Sequence, residues 1–175
     1  MWGGYYEDGS LIWHSRWITS DAAVECREAL AYPGDPGRVV LLRQVTAVRG
    51  DARLRVLLDP RAGFGRHGSH GLTLNDGIWA GRTGPLRWRW QGAGPARPAG
   101  GRRVRGELLA LDLTVPAGGR HDLVLEISED ALAGDPPDPA GTWRATEAAW
   151  ARARPSLEHS IAPRDAVHAW AGSAA

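Results

Sequence analysis

"ARLRVLLDPRAGFGRHGSHGLTLNDG", residues 52–77, sets the architecture. It opens on "ARLRVLLD", where Leu54, Val56 and Leu58 fall on one face and Arg53, Arg55 and Leu57 on the other. That is the period of a strand with one covered face. Its middle, "GFGRHG" (Gly63 to Gly68), is a literal G-x-G-x-x-G. The pattern marks dinucleotide binding when it joins a strand to a helix whose N-terminus faces the pyrophosphate. Gly68 leads instead into "SHGLTLNDG", with no helical period and further turn residues. The acidic residue expected about 20 positions on is missing, because that region reads "GPLRWRW". The glycines are therefore read as a strand-to-strand loop in which Gly tolerates positive φ.

Outward from this stretch the chain continues as short strands. "SLIWHSRW" places Leu11, Trp13, Ser15 and Trp17 on one face and Ile12, His14, Arg16 and Ile18 on the other. "AVECREAL" comes next, then the turn "AYPGDPG" and the longer strand "RVVLLRQVTAV". Gly50–Asp51 reads as a tight turn that makes a hairpin of this strand and "ARLRVLLD". Downstream, Asn75–Asp76–Gly77 is a turn, and "PLRWRWQG" sets Leu86, Trp88 and Trp90 against Arg87 and Arg89. After the loop "GAGPARPAGG", the strands "ELLALDLTV" and "HDLVLEIS" are joined by "PAGGR" as another expected hairpin. Strands of this length between turn signals predict a mainly-β fold, an antiparallel β-sandwich over residues 1–130.

Residues 131–175 have a different texture. "EDALAGDPPDPAG" leads into them as a linker, and Asp138 with Pro139 predicts a helix N-cap and first turn. "GTWRATEAAWARAR" carries Trp143, Trp150 and Arg154 at helical spacing. "PSLEHSIAP" interrupts, and "RDAVHAWAGSAA" starts a second helix and stops. There is no internal repeat and no heptad pattern.

Composition sets the outer limits. A chain of 175 residues is about one domain plus a tail, and buries roughly two thirds of its unfolded surface without staples. The single cysteine, Cys26, rules out a disulfide framework. "MWGGYYEDGS" has neither the basic nor the apolar region of a signal peptide. No apolar run approaches the ~20 residues of a membrane span. A cytoplasmic protein is expected, without membrane contact. Basic and acidic residues balance at 21 and 20, and every basic residue is arginine. With so much Ala, Gly and Pro, the missing lysine reads as coding bias. The balance argues against a nucleic-acid partner, because the only dense basic stretch is "RPAGGRRVR".

The candidate chemistry is sparse. His67 and His70 in "HGSH" fall short of the three or four ligands that a zinc site needs, so no metal and no cofactor are expected. "SLEHS" packs Ser156, Glu158, His159 and Ser160 together, yet a Ser-His-acid site needs spatial rather than sequential proximity. No pair of carboxylates stands out for glycoside chemistry, so no catalytic residue is assigned. Nine tryptophans are unusual for this length. Trp88 with Trp90, and Trp13 with Trp17, are the carbohydrate-contact candidates, since indoles stack on sugars. The commoner fate of inward aromatics is the core.

Three stretches carry a family resemblance. "ECREALAYPGDPGRVVLLRQVTAVRGDARLRVLLDPRAGFGR", "LLALDLTVPAGGRHDLVLEIS" and "TWRATEAAWARARPSLEHSIAPRDAVHAWA" resemble the N-terminal region of bacterial family 15 glycoside hydrolases, the glucoamylase-like and trehalase-like enzymes. The likeness runs roughly from Gly9 to Trp170 and rests on the order of the elements. It implies a large antiparallel sandwich, a linker helix, and an α/α toroid with two catalytic glutamates that invert the anomeric carbon of α-linked glucose. "RDAV" would open the first toroid helix. The toroid and both acids are absent here, and "MWGGYYED" stands where the family's opening strands lie. The resemblance thus implies a non-catalytic sandwich domain of such a hydrolase. Its sheet edge would be exposed, and Trp143, Trp150 and Trp170 would be candidate interface residues toward the toroid or a second copy. The alternative is a stand-alone carbohydrate-binding module for glucan or trehalose that uses the surface tryptophans. A complete small enzyme would require these carboxylates or "SLEHS" to do the chemistry.

Overall fold

The structure is a computed structural model, described over residues 2–99 and 106–153. Along them run β1 (Trp2–Tyr6), β2 (Trp13–Ile18), β3 (Ala23–Leu30), β4 (Arg38–Arg49), β5 (Ala52–Leu58) and β6 (Ser69–Asn75). After these come β7 (Ile78–Thr83), β8 (Leu86–Gln91), β9 (Arg97–Ala99), β10 (Leu108–Val115), β11 (Arg120–Ser128) and α1 (Pro139–Ala153). Eight strands form one sheet in the order β1-β2-β3-β4-β11-β8-β7-β6, and three form a second in the order β5-β10-β9. All pairings are antiparallel. The chain is a mainly-β antiparallel sandwich followed by a C-terminal helix, as its alternation predicts.

The main core lies between the sheets. Leu109, Leu111, Leu113 and Val115 of β10 meet Val24, Cys26, Val45, Trp79, Trp88, Trp90, Leu123 and Leu125 of the large sheet. Leu54, Val56 and Leu58 of β5 pack against this cluster from its margin, with Arg53, Arg55 and Leu57 turned outward. No residue of β1 or β2 belongs to it. Three strands do not cover eight, so one flank of the large sheet has no sheet facing it.

Two expected hairpins are not hairpins. β4 and β5, joined at Gly50–Asp51, belong to different sheets, and so do β10 and β11, joined through residues 116–119. β4 pairs instead with β11, from Thr46↔Arg120 to Arg38↔Ser128, and β5 pairs with β10. Both connections arch across the sandwich and support each other: the Asp51 carboxylate accepts the Ala117 N–H at 3.0 Å, and Gly118 N–H donates to Ala47 O at 2.8 Å. Alternation is the same whether two apolar faces lie side by side or face to face, so the pattern alone does not choose between them. Gly50 has φ +64°, and a Cβ there would lie 2.3 Å from Asp21 O, so the arch requires glycine.

The other turns agree with expectation. Asn75 pairs with Ile78 across Asp76 and Gly77, whose φ values of 49° and 76° are both positive, as a two-residue hairpin turn demands. The Gly63–Gly68 loop closes on itself through Ala62 and His67, which exchange backbone bonds at 3.0 and 3.1 Å, and it leads into a strand. It is a loop between strands, not the entrance to a helix.

The outer face of the large sheet is covered by α1. Asp138 caps it, accepting Gly141 N–H at 2.6 Å, and Pro139 occupies its first position. Trp143 packs with Ile12, Ala29, Val40, Leu42 and Val124 in a second cluster. The apolar stripe of the helix therefore has its partner within the chain. Burial on both faces explains the near-continuous apolar run of β4. The segment between β11 and α1 is strapped down: the Arg89 guanidinium donates to Gly134 O and Asp135 O at 2.8 and 3.1 Å, and Gln91 to Pro137 O at 3.0 Å. Among the described residues, no helix is long and apolar enough to cross a membrane.

Candidate functional site

The four carbohydrate-contact candidates divide into two pairs. Trp88 and Trp90 of β8 are 1% and 3% exposed, inside the main core. They have no free ring face, and the Trp88 indole passes over Gly81 of β7, where a Cβ would lie 2.5 Å from its Cζ2. Trp13 and Trp17 of β2 point to the same side of the large sheet, but lie on its uncovered flank. There they line a groove of about 350 Å3 between that flank and the outer edge of β5.

The groove is built by the strand register. Trp17 faces Trp2 across the β1–β2 ladder, and Trp13 faces Tyr6, whose ring meets its own edge-on at 5.0 Å. The Trp13 indole crosses Gly4 of β1, where a Cβ would lie 2.4 Å from its Cζ2. On the next strands Glu28 stands opposite both Trp13 and Arg43. The Arg43 guanidinium donates twice to Oε1 of Glu28, once at 2.7 Å through Nε and once through Nη2. Cys26 lies in the floor, and burial first, then the Glu28 charge, pushes its thiol up to about 11. It stays protonated and unreactive at neutral pH.

Trp2 is the member that sequence reading missed. "WGGYY", with two glycines in five residues, carries no clear strand signal of its own. It is a strand because it pairs with β2.

Other ion pairs tie neighbouring strands of the large sheet together and the helix to that sheet. Glu126, 1% exposed on β11, accepts from Arg38 at 2.9 Å and from Arg89. Arg27 of β3 donates to Glu7 at 2.5 and 2.8 Å and to Glu147 of α1 at 2.8 Å, with its guanidinium 4.9 Å from the centre of the Trp143 ring. Its hydrogen bonds to Glu7, foremost, raise its pKa further. Glu147, on the exposed side of the helix, is thus half of a tether between helix and sheet. Thr146 is fully buried and accepts the Tyr32 N–H at 3.2 Å, while Tyr32 stacks on Trp150 at 4.6 Å. A cavity of about 360 Å3 opens between the β3–β4 turn and the start of α1. Its two aspartates, Asp35 and Asp138, are engaged by the backbone N–H groups of Gly37 and Gly141.

Of the interface candidates, Trp143 is buried against the sandwich itself, Trp150 is half-buried beside Tyr32, and Trp170 lies outside the described residues. "SLEHS" and "RDAV" lie outside them too. Among the described residues, no three His, Cys, Asp or Glu side chains gather in a metal-holding group. His67 is in the loop closure, His70 is on exposed β6, and the His121 ring bonds Gly92 O at 2.7 Å.

No family model matches the chain. No curated protein matches it. Among solved structures, one described as a kojibiose phosphorylase from human microbiome aligns with 99% of this chain at 8% identity and a TM-score of 0.44. The chain spans 24% of that protein's length.

Proposed function

We propose that this chain is a non-catalytic sandwich domain that supports the catalytic α/α toroid of a glucoamylase- or trehalase-like hydrolase of α-linked glucosides, in the cytoplasm. The observation that carries the reading is where the carboxylates are. Glu7, Glu25, Glu28 and Glu126, the less exposed glutamates, are each held by an arginine. An inverting glycosidase needs two carboxyl groups about 6.5–9.5 Å apart and free to exchange protons across a sugar. Carboxylates paired with arginines within one sheet tie its strands together and serve architecture instead. The order of strands, strapped linker and docked helix supports the same reading, as does the family resemblance of the sequence.

The toroid would meet the domain beyond Trp143, which the sandwich already buries, with half-buried Trp150 at the margin. The test is glucose release from trehalose, maltose and soluble starch. The chain alone should release none, and activity should depend on a supplied toroid. Release by the chain alone, lost in Glu28→Gln or Glu126→Gln, would contradict the proposal.

A further inference from the structure

The geometry points to the groove over β1 and β2 as a binding site for a neutral linear oligosaccharide. This stands apart from the catalytic-domain reading and holds with or without a toroid.

Three indoles line one groove, and two of them are open: Trp2 is 65% exposed and Trp17 39%. Trp13 and Trp17 lie four residues apart on one strand face, a span of roughly 13 Å. A single pyranose ring does not bridge that distance, whereas a chain of them does. The volume of about 350 Å3 lies within the range of ligand sites, which combine aromatic walls with a few fixed polar groups.

The polar groups decide the class of ligand. Glu28 and Arg43 neutralise each other, and Arg55, also in the lining, has Asp112 beside it at 3.7 Å. With Asp112 counted just outside the lining, the charges at the groove cancel, which favours neither a phosphate nor a carboxylate. A purely apolar ligand would strip water from the ion pair for no return. Both Arg43 hydrogen bonds fall on Oε1 of Glu28, which leaves Oε2 to accept from a hydroxyl. A sugar supplies both needs: C–H faces for the indoles and hydroxyls for the carboxylate.

The experiment is titration of the full chain with maltoheptaose, cellohexaose and xylohexaose, followed by tryptophan fluorescence and calorimetry. At least one should bind saturably with a change in tryptophan emission. Trp17→Ala and Trp2→Ala should each weaken it about tenfold or more, which corresponds to about 1.4 kcal/mol. Glu28→Gln should weaken it by a smaller factor. Both indoles sit at or beside the sheet edge, so their variants should remain folded by circular dichroism. Trp2→Ala serves alone if Trp17→Ala does not fold. No binding of any of the three at millimolar concentration overturns the inference, as does equal binding by wild type and both tryptophan variants. Concentration-dependent dimerisation that is lost in Trp17→Ala, or binding of a proline-rich peptide in place of sugar, also overturns it and assigns the groove to a protein.

Discussion

Trp13 and Trp88 are twins by local criteria. Each sits in an alternating strand with a second tryptophan on the same face, and each lays its indole across a glycine of the neighbouring strand, Gly4 for Trp13 and Gly81 for Trp88. One is half-buried in an open groove and the other is 1% exposed in the core. The difference is not in their strands but in the layer above. The three-stranded sheet covers β8 and stops short of β2. A sandwich with unequal sheets therefore makes two things from one pattern: a core where both sheets overlap and an aromatic groove where only one extends.

The largest effect should come from removing the covered indole. Trp88→Ala should cost about 3–5 kcal/mol in guanidinium denaturation, the range for deleting a fully buried aromatic. Next is the charge that holds the linker. Arg89→Met leaves Glu126 with Arg38 alone in a buried site and frees the carbonyls of Gly134 and Asp135. A loss of about 3 kcal/mol is expected, with faster proteolysis of residues 129–138 as a second readout.

The glycine seats sharpen the comparison further. Gly81→Ala pushes a methyl into Trp88 and Leu72, which the core holds in place, and should cost about 1–3 kcal/mol. Gly4→Ala meets chiefly the far end of Trp13, which has the groove to move into, and also His14 O at 3.0 Å, a contact that a shift of the edge strand by a few tenths of an ångström relieves. Its cost should stay under about 1 kcal/mol, partly offset by the lower chain entropy of alanine. Equal costs at the two seats would show that the groove is as tightly packed as the core.

Cys26, in the groove floor, gives the most specific signal, because it appears only at alkaline pH. Above about pH 8.5 the unfolded thiol ionises, whereas the native one keeps its proton to about 11. The folded state then binds more protons, so stability should fall as pH rises through this interval. Denaturation at stepped pH should show the fall in the wild type and not in Cys26→Ala.

How far this was legible in the sequence depends on the same residues. The inward set of β5, the Asp76–Gly77 turn, the Asp138–Pro139 helix start and the refusal of "GFGRHG" to open a helix were all readable, because each is a local preference of backbone or period. The arches at Gly50–Asp51 and residues 116–119 were not. Leu54 and Val45 alternate identically whether their strands lie side by side or face to face across the core. Nor was the division of the tryptophans readable, since burial of Trp88 depends on β10, about 20 residues away, and openness of Trp17 on where β5 ends. Trp2 was hidden by its glycines, which weaken any strand signal. The partner of Trp143 was hidden because the outer face of β4 and β11 reads as ordinary strand until a helix lies on it.

The most direct test is to denature Trp88→Ala and Trp17→Ala side by side under one set of conditions. Unequal coverage of the large sheet predicts a loss of about 3–5 kcal/mol for the first and about 1 kcal/mol or less for the second, with unchanged m-values. Similar losses for both would mean that Trp17 is as much core as Trp88. The large sheet would then have no uncovered flank, and the groove would not exist in solution.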